Sequence, residues 1–239
     1  MSEITLYHGS ADIIERPEFG KGNSRNDYGL GFYCTREIEL AKEWACSTMA
    51  GGYANIYTLD TAGLNILNLG APEYSILHWL TILVNNRVFS AGVPIVAENK
   101  EYLTTHFMPD ISEFDAIIGY RADDSYFTFA MDFLSNAISL SQLSRAMRLG
   151  SLGEQFVLKS EKAFETLRFI RGERADAEIY CKKRRDRDNE ARDQYLNRER
   201  KMLRQSEDIF MLDIIREEMK NGDARLQRDI SISRGKKPR

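Results

Sequence analysis

Residues 171–239 hold 20 Lys/Arg and 15 Asp/Glu. A segment that is half charged has too few apolar groups to bury a core of its own, so its helices must lean on the rest of the chain. That segment is basic, at net +5, and the remaining 170 residues are acidic, at net −8, although the whole chain of 239 residues carries only −3. Nothing in the small overall charge points to a whole-chain nucleic-acid or membrane binder. Hydrophobic residues make up 43% and aromatics 10%, enough for a real core in the first part. At about 150 residues per domain, the length predicts one large domain, or one domain with an appendage. We place the domain over 1–171 and a charged helical extension over 172–239, ending in a basic disordered stretch from Ser231 to Arg239.

Compartment and broad class follow from what is scarce. Cys34, Cys46 and Cys181 are odd in number and share no CxxC spacing. That argues against a disulfide framework and a cysteine zinc site, and fits a reducing cytosol. Met1 to His8 is too short and mixed for a signal peptide. The longest apolar stretch, Ile76 to Val84, falls far short of the roughly 20 residues of a membrane helix, so a cytoplasmic protein without a membrane partner is expected.

The pattern of elements predicts a mixed α and β fold. Ile4–Tyr7, Gly31–Cys34, the alternating Ala54–Leu59, Phe114–Gly119, Glu154–Leu158 and Arg168–Ile170 read as strands. Gly20–Gly31 is rich in Gly, Asn and Asp and reads as a loop. Helices are expected after a Thr35 cap, with Ile38, Ala41 and Ala45 on one face, and over Ser75–Asn85, Tyr126–Leu134, Leu140–Leu149 and a Ser160-capped run to Leu167. The tail reads as a solvated helix from Ala175 to Arg204. A second one follows in which Ile209, Leu212, Ile215 and Met219 form a docking face and Gly222 ends the helix.

Three short motifs carry candidate chemistry: Leu6-Tyr7-His8-Gly9-Ser10, Gly29-Leu30-Gly31-Phe32-Tyr33-Cys34-Thr35 and Gly153-Glu154-Gln155-Phe156-Val157-Leu158. Alone, each fits an ordinary strand beside a turn. Gly29-Leu30-Gly31 lacks GxGxxG and Walker spacing, which excludes Rossmann and P-loop nucleotide binding. His78 lies in an apolar helix and reads as a satisfied core histidine. His106 has no metal-like partner one turn away, and no metal is expected. Trp44 and Trp79 read as core. Asp123-Asp124 either cap the helix that begins near Tyr126 or rim a binding cleft. Lys182-Lys183-Arg184-Arg185 is followed by Asp186, Arg187, Asp188 and Glu190, so a salt-bridged solvated face competes with a nucleic-acid contact.

Taken together and in order, the three motifs resemble the ADP-ribosyltransferase fold of the His-Tyr-Glu type, shared by diphtheria-like toxins and poly(ADP-ribose) polymerases. The chain is similar, more closely, to a bacterial family of ADP-ribosyltransferase-like proteins. That likeness also rests on Asp115-Ala116-Ile117-Ile118-Gly119 followed by Ala122-Asp123-Asp124, on Gln155 followed by Glu161-Lys162-Ala163, and on Ala175-Asp176-Ala177-Glu178-Ile179-Tyr180. It covers residues 4 to about 225. The resemblance implies an α+β fold, a split β-sandwich with flanking helices, that binds NAD⁺ in a cleft between two small sheets.

The same resemblance implies roles. The carboxamide of nicotinamide is best matched by a backbone N–H and C=O, which Gly9 would offer at close range. His8 would hydrogen-bond the adenine-side ribose, Tyr33 would stack on nicotinamide, and Ser10, Gly31, Asp123 and Asp124 would line the NAD⁺ site. In the family a carboxylate at the start of the later strand stabilises the oxocarbenium-like transition state. Here Gln155 aligns with that slot and Glu154 is the alternative, on the opposite face of the strand. A glutamine carries no charge, which argues against polymerase-like chain elongation.

The expected function is transfer of a single ADP-ribose from NAD⁺ to a macromolecular acceptor, protein or RNA/DNA. The setting would be a bacterial toxin of a toxin–antitoxin or phage-defence module with a protein antitoxin; that step rests on family analogy. Two rivals differ in class: an inactive protein that binds NAD⁺ or ADP-ribose, and an adaptor acting through its charged tail.

Overall fold

The alternation at 54–59 becomes the middle strand of a three-stranded sheet. In the computed structural model, which describes residues 3–46, 50–87, 94–122 and 124–226, the first half of the chain runs β1 (Glu3–Ser10), β2 (Phe32–Cys34), α1 (Ile38–Ala45), β3 (Gly52–Asp60), β4 (Ile66–Asn68), α2 (Ile76–Asn86) and α3 (Pro94–Phe107). The second half adds β5 (Ala116–Tyr120), α4 (Asp124–Leu134), α5 (Leu140–Ala146), β6 (Glu154–Leu158), α6 (Glu161–Glu165), β7 (Leu167–Ala175), α7 (Ala177–Gln194) and α8 (Met211–Arg216). The fold is α+β. The chain divides into two units, each assembled from three separate stretches: Met1–Asn68, Asp110–Arg121 and Gly150–Glu190 in one, Leu69–Pro109, Ala122–Leu149 and Ala191–Arg239 in the other.

The first unit holds both sheets. One has the order β1-β3-β7, with β3 antiparallel to both neighbours; the other has the order β2-β6-β5-β4, in which only β4 and β5 run parallel. Leu6, Tyr57 and Leu59 from the first sheet and Cys34, Ala116, Ile118, Phe156 and Leu158 from the second share one buried cluster. Period-two alternation explains it: these residues face one way and their neighbours the other. Ser160 caps α6, its Oγ accepting from the Ala163 N–H at 3.1 Å, and donates to Asp115 Oδ1 at 2.6 Å.

Helices build the second unit. Ser75 caps α2 and the His78 side chain closes the capping box, its Nδ1 accepting from the Ser75 N–H at 2.9 Å. Ser139 and Gln142 repeat the device on α5. The charged tail is threaded into this unit. Leu140 N–H donates to Ile209 O at 2.8 Å, Gln142 Nε2 to Glu199 O at 2.6 Å, and Leu212 N–H to Asn136 Oδ1 at 2.9 Å.

Several elements differ from the sequence expectation. The boundary expected at 171 falls inside β7, which continues to Ala175. Its second half is polar and is held by backbone pairing to β3 rather than by apolar alternation. Helix α3 escapes the pattern because one of its four buried positions is a polar Asn99, whose Nδ2 donates to Leu134 O at 2.7 Å. Strand β4 is three residues long, too short to show a period. Thr35 does not cap α1: Glu37 occupies that position, and Thr35 Oγ1 instead accepts from the Glu37 N–H at 3.2 Å. Trp79 is core, but Trp44 is only half-buried, with the Arg121 guanidinium 3.3 Å from its ring centroid. The stretch from Ser231 to Arg239 lies outside the described residues. None of the described helices is long and apolar enough to cross a membrane.

Candidate functional site

Strand parity sets the chemistry of the first motif. β1 and β2 are edge strands of the two sheets, and the chain just past β2 meets β1 at a bridge, where Thr35 and Tyr7 exchange both backbone hydrogen bonds at 2.9 Å. In an antiparallel pair the backbone groups of alternate residues point to opposite sides. Gly9, two residues after Tyr7, therefore turns its N–H and C=O to the same open side of β1, away from β3. Gly9 is small for a second reason. A Cβ there would overlap the Ala41 carbonyl oxygen and come within 2.7 Å of Ala45 N and 2.9 Å of Trp44 Cβ, so α1 lies on this strand at backbone distance.

His8 is held against the second motif. Its Nδ1 lies 2.7 Å from the Tyr33 carbonyl oxygen, and its ring stacks on Phe32 at 4.3 Å between centroids. A carbonyl only accepts, so Nδ1 carries the proton. Burial holds the His8 pKa below its ordinary value, against the opposing pull of the Tyr33 carbonyl. The neutral ring therefore keeps Nε2 as an acceptor.

Tyr33 is positioned by the loop in front of it. Its hydroxyl donates to Gly29 O at 2.6 Å and accepts from the Tyr28 N–H at 3.0 Å. Lys159 Nζ braces the same loop, donating to Tyr28 O at 2.6 Å and Leu30 O at 2.5 Å; burial lowers its pKa. Gly31 lets β6 approach, since a Cβ there would sit 2.7 Å from Val157 Cγ1 and 2.8 Å from Leu158 O.

Register separates the two candidates of the third motif. Tyr33 pairs with Val157, and Gln155 lies two residues before Val157, so Gln155 shares the face of Tyr33. Glu154 points to the opposite face and is exposed. Gln155 is 5% exposed and its neighbour across β5 is Gly119. Its Nε2 lies 3.5 Å from Oδ2 of Asp27, itself 4% exposed, and its Oε1 is buried with no hydrogen-bond partner.

Three further residues shape the site, and sequence reasoning passed over their roles. Asn55 is fully buried in β3; its Nδ2 donates to Ser10 Oγ at 2.8 Å and its Oδ1 accepts from the Ile14 N–H at 2.9 Å, fixing the chain as it leaves β1. Lys159 and Asp27 are the other two. A buried Asn in an alternating strand and an Asp in a Gly/Asn loop are ordinary enough that only their contacts distinguish them. Ser10 spends its hydroxyl on this loop, donating to Asp12 O at 2.6 Å. Asp123 lies outside the described residues, and Asp124 is the first residue of α4 in the second unit. In the basic run, Lys183 pairs with Glu39 at 2.8 Å and Arg187 with buried Glu43 at 2.5 Å, while Lys182 and Arg185 are exposed. Among the described residues no three His, Cys, Asp or Glu gather as a metal site requires.

These features define an α+β protein with two small sheets whose edge strands part beyond a single bridge. Residues 4–169 match the family described as "Protein of unknown function (DUF3990)", and the chain belongs to that family. No curated protein and no solved structure matches it.

Proposed function

We propose that the protein binds NAD⁺ where β1 and β2 part and transfers its ADP-ribose, with release of nicotinamide, to a macromolecular acceptor. The observation that carries this reading is that one unit holds several hydrogen-bonding groups for which no protein partner is seen among the described residues. They are the outward N–H and C=O of Gly9, the acceptor Nε2 of neutral His8, and the orphaned Oε1 of buried Gln155. A buried acceptor without a partner costs about 1–3 kcal/mol, so its retention is explained by a ligand that supplies the donor. NAD⁺ fits the set. Its carboxamide is a donor–acceptor pair that matches the Gly9 edge, and its ribose hydroxyls are donors that match His8 and Gln155.

NAD⁺ supplies a labile bond between nicotinamide and ribose, and breaking it builds positive charge on the sugar. The protein's part is to hold both halves of the ligand. Gly9 takes the carboxamide through its backbone, and Tyr33 offers its ring, with its hydroxyl anchored to the loop. Gln155 orients the ribose and adds only a dipole against the developing charge. A neutral amide supports a single slow transfer over chain elongation. Glu154, on the far face of β6, has no part in this reading. A bacterial toxin of a toxin–antitoxin or phage-defence module, held by a protein antitoxin, remains the setting we propose from the resemblance.

The test uses NAD⁺ labelled on the adenine side and a cell lysate split into protein, RNA and DNA. Label in one fraction together with released nicotinamide, both lost in His8→Ala, is the expected result. A folded His8→Ala/Tyr33→Ala variant of unchanged activity would overturn the assignment. One specific observation favours a second reading, an NAD⁺- or ADP-ribose-binding protein without turnover: the slot on the Tyr33 face holds an amide. NAD⁺ binding without nicotinamide release would select it.

A further inference from the structure

The amide of Gln155 has only one orientation that the carboxylate of Asp27 tolerates. Asp27 Oδ2 stands 3.5 Å from Nε2, and turning the amide over would set Oε1 against a carboxylate oxygen, two acceptors with no proton between them. Both side chains are more than nine-tenths buried, so water does not soften that clash. With Nε2 turned to Asp27, Oε1 is the atom left without a partner. Asp27 is itself fixed by the loop that anchors Tyr33: Tyr28, the next residue, donates its N–H to the Tyr33 hydroxyl at 3.0 Å and its own hydroxyl to Tyr120 O at 2.6 Å.

We propose that Asp27 is a positioning residue of the site: it holds the Gln155 amide so that Oε1 is offered as an acceptor to a ligand hydroxyl. The inference rests on the NAD⁺ reading for the identity of that ligand, the hydroxyl being that of the nicotinamide-side ribose. It gives the neutral amide two properties that an unsupported glutamine lacks. The orientation is set before the ligand arrives, so no rotamer freedom is lost on binding. The amide also donates through Nε2 to the Asp27 oxygen behind it, and donation at one end of an amide raises the electron density on the other, Oε1. The site thereby selects for a hydroxyl donor at the sugar.

The experiment compares the full-length protein with Asp27→Asn, nearly isosteric, and Asp27→Ala. Binding is measured by calorimetry for NAD⁺ and for its analogue lacking the 2′-hydroxyl of the nicotinamide-side ribose. For the wild type, removing that hydroxyl is expected to weaken binding about tenfold, the worth of one hydrogen bond. In either Asp27 variant NAD⁺ binding weakens by a similar factor, and the analogue then binds no worse than NAD⁺, because the hydroxyl has lost its oriented acceptor. A structural role alone would weaken both ligands equally and preserve the tenfold gap; that result overturns the proposal. The ¹⁵N-labelled protein gives a readout free of ligand. The Gln155 side-chain amide, assigned by its loss in Gln155→Glu, is expected to be shifted and protected from exchange, and to lose both features in Asp27→Asn. If the wild type binds neither dinucleotide, the NAD⁺ reading fails and the amide signal still decides: sensitivity to Asp27 supports the orienting role, and indifference refutes it.

Discussion

Replacing Gly9 by alanine tests packing and site together, because the same edge carries both. A Cβ at position 9 would overlap the carbonyl oxygen of Ala41 and crowd Ala45 N at 2.7 Å and Trp44 Cβ at 2.9 Å. Two of these three are helix backbone, which cannot step aside as the end of a flexible side chain does. Helix α1 must therefore lift as a body, loosening Leu40, Ala41 and Ala45, all buried under it. Overpacking of this kind costs about 1–3 kcal/mol, and backbone collision puts Gly9→Ala at the upper end, about 3 kcal/mol. For a chain of this length that is a fall in Tm of about 6–12 °C. Thermal unfolding followed by tryptophan fluorescence reads it directly, since Trp44 sits at the collision. We expect the Trp44 signal to change already in the native baseline, and nicotinamide release to fall with it. A variant of unchanged Tm and unchanged native fluorescence would refute the argument that α1 lies on β1 at backbone distance, and with it the account of why position 9 is glycine.

Further outcomes follow from buried polar groups. Arg187→Met strips the partner from Glu43, whose side chain is 3% exposed, at a cost of about 3–5 kcal/mol; urea unfolding should show Glu43→Gln/Arg187→Met recovering most of it. Burial already raises the Glu43 pKa above its ordinary 4.5, against the pull of Arg187. A raised carboxyl favours the fold below its unfolded pKa and loses that favour as pH rises, so the damage in Arg187→Met grows from pH 4.5 upward. Burial lowers both His8 and His78. The unfolded chain then binds more protons than the native one just below the ordinary value of 6.5, and stability falls as pH drops through that window. Imidazole NMR is expected to show both rings titrating below 6.5 and His8 protonated on Nδ1. A His8 titrating above 6.5 would contradict the neutral acceptor. Asn55→Ala removes the partners of Ser10 Oγ and the Ile14 N–H, and should cost about 1–3 kcal/mol and weaken ligand binding beyond what folding loss explains.

The elements that sequence reasoning reaches are those whose side chains declare a period. Ala54–Leu59 alternates and is the middle strand; Glu154–Leu158 is the strand β6 to the residue. Capping by Ser160 is legible because the chemistry is local. What stays hidden is whatever rests on partners remote in sequence. The polar half of β7 exists only through its pairing with β3, and the tail from Ala191 belongs to the second unit through contacts with residues 136–142 more than fifty positions earlier. The candidate site divides along the same line. His8, Tyr33 and Gln155 are visible as motifs because each lies in a strand within two residues of a glycine. Asp27, Asn55 and Lys159 are invisible because their meaning lies in contacts made across 128, 41–47 and 129–131 residues respectively. This also bears on the tail as a separate adaptor. Cutting the chain at 175 would remove α7, whose Lys183 and Arg187 hold Glu39 and Glu43 in the first unit, and all of the second unit beyond Leu149. Point changes at the exposed Lys182 and Arg185 separate a basic contact from the fold that carries it. Loss of acceptor labelling in Lys182→Ala/Arg185→Ala, with NAD⁺ binding intact, would assign the helix a role in choosing the target.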